Sequence, residues 1–116
     1  MDAFEDLKVW KRSSWLCVEV YKAFKDNRDW GFKDQITRSA LSVPSNVAEG
    51  YERNSKKEYV RFLKIAKGSC GELRTQLYIA KELELVERKQ LDNFLLESVE
   101  ISKMLQGLIS KLLKLS

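Results

Sequence analysis

The sequence predicts an all-α protein, an up-down-up-down four-helix bundle with a proline-kinked second helix. Three observations lead there. Apolar residues recur at alternating steps of three and four in three separate segments, and in a fourth Ile36, Val43 and Val47 share a face at spacings of 7 and 4. The 116 residues hold five glycines and one proline against 33% charged residues, the balance of long helices, whose interiors exclude the first two. Turn chemistry interrupts the pattern at 25–31 and 53–55, which argues against a single long coiled coil.

The first helix is expected over 6–24, capped by Asp6, with Leu7, Trp10, Ser14, Cys17, Tyr21 and Phe24 as its buried seam. The run KDNRDWG at 25–31 ends it, because Asp and Asn favour local turns and Gly31 tolerates a left-handed backbone. The second helix, over 32–52, contains Pro44 in its interior. There the ring removes one backbone hydrogen bond and crowds the carbonyl of Ala40, so a kink or a split into two short helices is expected. Ile36, Val43 and Val47 share one face of this segment, and Ser39, Ala40, Ser42, Ser45, Ala48 and Gly50 leave room for a neighbouring helix.

Ser55 and Glu58 form a capping-box pattern, so the third helix starts at the serine and runs to about 83. Its stripe is Tyr59, Phe62, Ala66, Ser69, Leu73, Gln76 and Ala80, widened by Leu63, Cys70 and Leu77. After a connection at 85–87, Leu91, Phe94, Ser98, Ile101, Leu105, Leu108, Leu112 and Leu115 mark the fourth helix. Adding Leu95, Val99, Met104, Ile109 and Leu113 makes its apolar arc wider than one small bundle needs, which predicts a homo-oligomer. No repeat or linker divides the chain, so one domain over 1–116 is expected.

Composition narrows the chemistry. No histidine occurs, which excludes Ser-His-Asp and Cys-His catalysis, His-ligated metals and the ExxH motif of di-iron bundles. No phosphate-binding glycine loop is present, since Gly68 and Gly71 lie inside the third helix without the required context. Glu49, Glu58 and Glu72 could gather as an acid-base pair or metal site, but capping and pairing with Lys or Arg are the plainer roles. No enzyme activity, cofactor or metal is therefore expected. Cys17 and Cys70 lack CxxC spacing and read as buried free thiols. An acidic N-terminal run and the lack of any stretch near 18 apolar residues predict a cytoplasmic protein with no membrane contact.

The positive signal is charge. Net charge is +4, and Arg53, Lys57, Arg61, Lys64, Lys67, Arg74 and Lys81 fall on the side of the third helix away from Phe62, Ala66 and Leu73. Gly68 and Gly71 lie within this face, where missing side chains let a phosphate backbone or a partner helix come close. On the first helix Lys8, Lys11, Arg12 and Lys22 surround Trp15, a set that suits phosphate neutralisation with base stacking, or else places Trp15 in an interface. RNA is the expected ligand, and an acidic protein docked on the same basic face is the alternative.

The segments FEDLKVWK at 4–11, DQITRSALSVPSNVAEGYER at 34–53 and KKEYVRFLKIAKGSCGELRTQLYIA at 56–80, with Val20 and Tyr21, carry a family likeness. The chain resembles, nearly end to end, a bacterial family of small four-helix-bundle proteins known from intervening sequences of 23S ribosomal RNA genes. Trp15 lies outside that pattern. The resemblance implies a ring-like pentamer. It also extends to the accessory variability protein of diversity-generating retroelements, a basic barrel that binds RNA and reverse transcriptase, so a polymerase of that kind is an implied protein partner. It makes 45–50 the place where bend, third helix and subunit contact meet. The candidate interface is then Pro44, Ser45, Asn46 and Gly50 with Leu95, Val99, Ile109 and Leu113, while Arg38 joins the candidate RNA contacts.

Overall fold

In a computed structural model, which describes residues 3–115, a short 3-10 turn at Phe4–Asp6 precedes four α-helices. These are α1 (Lys8–Phe24), α2 (Trp30–Glu52), α3 (Lys56–Glu82) and α4 (Arg88–Lys114). Each packs on the next, and α4 returns to α1, with the broadest contact between α2 and α3 and a thin one between α1 and α4. Short connections force the up-down-up-down path. One cluster of buried side chains runs the length of the bundle, with Phe24, Leu16, Ile36, Leu63, Leu73, Leu77, Leu91, Ile101 and Leu105 nearly sealed from solvent.

Local chemistry sets the boundaries. The start of α2 is fixed by Asp29, whose side chain accepts a 3.1 Å hydrogen bond from the Phe32 amide. Ser55 caps α3 by accepting from the Glu58 amide at 3.2 Å. The glutamate turns to Arg61 instead of completing a capping box. Asp6 does not cap α1: it ends the 3-10 turn, and Leu7 is the N-cap with no side-chain bond. The four elements match the expected ones, but α2 opens two residues earlier than 32 because Asp29 acts one turn before Phe32.

α3 ends in a Schellman motif built without glycine. Glu84 takes the left-handed conformation, with φ of 55°, while the amides of Glu84 and Leu85 bond the carbonyls of Lys81 and Ala80 at 3.2 and 3.0 Å. A side chain in that region costs about 1 kcal/mol or more relative to glycine. Glu84→Gly is therefore expected to stabilise the fold by about 1 kcal/mol in urea unfolding, and a destabilisation would contradict this reading of the turn.

α2 is one helix through Pro44, not two, and Pro44 is itself buried. Some small residues of this stretch serve α3, while Ser45 and Ala48 line a depression beside Trp10 and Ser14 of α1. Ser39 hydrogen-bonds Gln76, Ser42 meets Ser69 at 2.8 Å, and Asn46 bonds back to the Ser42 carbonyl and hydroxyl at 2.8 and 2.9 Å. Buried Ser98 is satisfied by the Leu95 carbonyl at 2.7 Å, and its own carbonyl accepts from the Cys70 thiol at 3.2 Å. Burial pushes that thiol up to about 11, so it stays protonated and inert.

On α1 the buried seam is Val9, Ser13, Leu16, Val20 and Phe24 with Cys17. Of the expected seam, Trp10 and Ser14 are half-buried and Tyr21 is 45% exposed. Both stripes have helical spacing, and the aliphatic one takes the core because Trp and Tyr can keep one edge in water.

Candidate nucleic-acid interface

The bundle path brings the start of α1, the end of α2, the start of α3 and the end of α4 to one end of a body 47 Å long. Lys8 and Lys11, Arg53, Lys56, Lys57, Arg61, Lys64 and Lys67, and Lys111 and Lys114 all belong to that end. The acids there are Glu5, Asp6, Glu49, Glu52 and Glu58, and two of them are already held: Glu49 by Arg53 at 3.3 Å and Glu58 by Arg61 at 3.0 Å. One end is therefore strongly basic although the net charge of the chain is modest.

Two adjoining depressions lie between the outer sides of α3 and α4. One, of about 450 Å³, is lined by Lys56, Lys57, Val60, Arg61, Lys64 and Leu113. The other, of about 570 Å³, is lined by Lys64, Lys67, Gly68, Gln106, Ile109 and Leu113. Together they make a groove with cations along α3 and apolar carbon on α4.

The predicted contacts divide by what already occupies them. Lys57 and Lys64 are exposed and have no ion pair among the described residues, as do Lys8 and Lys11. Lys67 reaches across to Gln106 Oε1 at 2.6 Å and lies along the groove. Arg74, half-buried, stands one turn past Gly71. Arg53 and Arg61 lie against the Phe62 ring, at 5.0 and 4.5 Å from its centroid, each holding its glutamate. The Arg61 hydrogen bond draws the Glu58 carboxyl below the usual carboxylate range.

Arg12 faces inward. It grips Glu97 through Nε and Nη2 at 2.8 and 2.6 Å, tying α1 to α4, and that hydrogen bond raises its guanidinium above the usual arginine value. Sequence spacing gives no sign of this pair, which is separated by 85 positions. Arg38 is exposed and paired with Asp34 at 2.9 Å on the far half of α2. Trp15 stands 56% exposed on the outside of α1.

The proposed interface residues also divide. Pro44, Gly50, Leu95 and Ile109 are covered within the protomer itself, Asn46 and Val99 are half-buried, and Ser45 and Leu113 face outward. Lys56, which lines the groove, escapes a helical-wheel selection even though it is the first residue of α3.

Gly68 and Gly71 have open space where a Cβ would stand. No packing inside the protomer requires them, and each costs the helix about 0.5–1 kcal/mol relative to alanine. Gly68→Ala and Gly71→Ala are each expected to raise stability by about that amount in urea unfolding. A loss of stability would show that these positions are packed.

Among the described residues, no group of three or more Cys, Asp or Glu is placed to hold a metal ion. No helix of the described residues is long and apolar enough to cross a membrane.

Residues 5–107 match the family model of the 23S rRNA-intervening sequence protein. No curated protein matches the chain. Among solved structures, the chain is similar to the crystal structure of a protein of unknown function from the S23 ribosomal protein family of Bacteroides thetaiotaomicron. The two share 26% identity and a TM-score of 0.82, over 87% of this chain and 97% of that one. Sequence match and shared architecture agree that the chain belongs to the 23S rRNA-intervening sequence protein family.

Proposed function

We propose that this protein is a non-enzymatic cytoplasmic bundle that acts as a homo-oligomer and binds structured RNA through the basic face of the first half of α3. The observation that carries the reading is the groove with Lys57 and Lys64, which have no ion pair among the described residues, at the end where cations from all four helices collect. Phosphate neutralisation needs flexible, accessible ammonium groups, and these lysines supply them. The family's name ties its members to rRNA intervening sequences, which agrees with an RNA ligand. A filter-binding titration against 23S rRNA fragments at low salt is expected to give saturable binding, and none would refute the proposal.

The apolar floor of the groove, formed by Val60, Ile109 and Leu113, favours one other reading, in which an acidic protein such as a reverse transcriptase docks there. Pull-down from nuclease-treated lysate separates the two, because only a protein partner survives.

Self-association is assigned to the other half of the α3–α4 face. Tyr78 and Leu96 are exposed there, and Ile79 and Leu83 are exposed nearby on the outer side of α3, apolar surface that the protomer leaves open. By family resemblance the assembly is a pentamer. Light scattering is expected to give a mass of about five 13.5 kDa protomers, and a monomer at micromolar concentration would contradict it.

A further inference from the structure

At the opposite end of the bundle from the basic groove, the last turn of α1 and the first turns of α2 enclose a cleft of about 540 Å³. Its walls are Tyr21, Lys25, Trp30, Lys33, Asp34 and Thr37. It plays no part in the α3 face. Trp30 is 66% exposed, an unusual cost for the largest aromatic side chain unless something covers it.

The indole is nonetheless held in place. The Lys33 ammonium lies 4.4 Å from the ring centroid and donates to the Lys25 carbonyl at 3.1 Å, joining the end of α1 to the start of α2. Thr37 donates to the Lys33 carbonyl at 2.7 Å, and Asp34 is occupied by Arg38 at 2.9 Å. The Lys25 ammonium has no ion pair among the described residues. The cleft thus offers two aromatic rings, two cations and a carboxylate whose charge is already countered.

We infer that this cleft takes one unpaired nucleotide of a single-stranded RNA segment, its base stacked on Trp30 and Tyr21 and its phosphate on Lys25 and Lys33. The inference rests on the RNA reading and deepens it, by adding a base-stacking subsite to a phosphate-contacting groove. The cleft volume falls within the range that holds small ligands of nucleotide size. Its positive balance selects against cationic ligands. Exposed Lys8, Lys11, Trp15 and Lys22 recur along α1 at helical spacing, from the basic end to the cleft, and give the strand a path between the two sites.

A short single-stranded RNA carrying one 2-aminopurine reports directly, because stacking quenches that base. The wild-type protein is expected to quench it on binding. Trp30→Ala should bind about tenfold more weakly and lose most of the quench at saturation, while Trp30→Phe keeps both. The paired variant Lys57→Glu with Lys64→Glu should weaken binding but still quench when saturated. Since Trp30 is exposed, unchanged helix content by circular dichroism checks that Trp30→Ala folds. Binding with a quench unaffected by Trp30→Ala would overturn the subsite and leave the RNA reading intact. Adenosine monophosphate saturating the cleft at the same concentration as the oligonucleotide would overturn its assignment to an RNA chain. No binding of the oligonucleotide by wild-type protein that still binds 23S rRNA fragments would overturn the subsite and leave the RNA reading intact, and no binding of either RNA would overturn both.

Discussion

Gly50→Ala is expected to destabilise the fold by about 1–3 kcal/mol, although alanine is the better helix former by about 1 kcal/mol. A Cβ at this position would lie 2.7 Å from Phe62 Cβ, and 3.2 Å from both Tyr59 Cδ1 and the Tyr59 carbonyl oxygen. None of these atoms is the loose end of a flexible side chain. Phe62 is clasped by Arg53 and Arg61, and Tyr59 is packed edge-on against Tyr51 at 5.8 Å. The overlap can only be relieved by moving the end of α2 away from the start of α3. That displacement carries Lys57, Arg61 and Lys64 with it, so weaker RNA binding should accompany the loss of stability. Urea unfolding measures the first effect. Gly68→Ala, where a Cβ meets open space, should move stability in the opposite direction and serves as the control.

The second large effect is on binding. Replacing Lys57 and Lys64 together with glutamate is expected to lower RNA affinity roughly thirty-fold at moderate salt, since a phosphate that no lysine neutralises keeps its counterion. The fold should be unaffected, because both side chains are exposed and neither has an ion-pair partner to orphan among the described residues. The same charge change at Arg12 is expected to behave differently. It would break the paired hydrogen bonds to Glu97 and set two carboxylates against each other between α1 and α4, so its main cost falls on stability. Measuring binding and unfolding on both variants separates a ligand-binding cation from a structural one.

The sequence shows the four helices because each repeats its apolar residues at helical spacings, a signal that depends only on neighbours along the chain. Ser55 is legible for the same reason, since a cap acts within one turn. What sequence spacing does not contain is the identity of the neighbour. The small residues around Pro44 clearly admit a close partner, but whether that partner is α3 or another subunit depends on distance in space. In the fold Gly50 fits under Phe62 of the same chain. Spacing misplaces the α1 seam because Val9, Leu16 and Val20 interleave with Trp10, Ser14 and Tyr21, both sets at helical steps of four and seven, and periodicity alone cannot rank the two stripes. Glu84 carries no local hint of its left-handed backbone, since the usual glycine is absent.

For the candidate site, the helical wheel places Lys57 and Lys64 on a face that the fold leaves open. It cannot foresee that Arg12, Arg38, Arg53 and Arg61 each hold a carboxylate. Charge type is written in the sequence, whereas availability of the charge is a property of the packed molecule.

The central claim is that lysines of the α3 groove neutralise RNA phosphates, and the salt dependence of binding tests it most directly. With Lys56, Lys57, Lys64 and Lys67 each engaging one phosphate, a plot of log affinity against log salt concentration for the wild-type protein should fall with a slope of about −3 to −4. The Lys57→Glu, Lys64→Glu variant should show a slope shallower by about two. A slope near zero, or one that the variant shares with the wild type, would contradict the account.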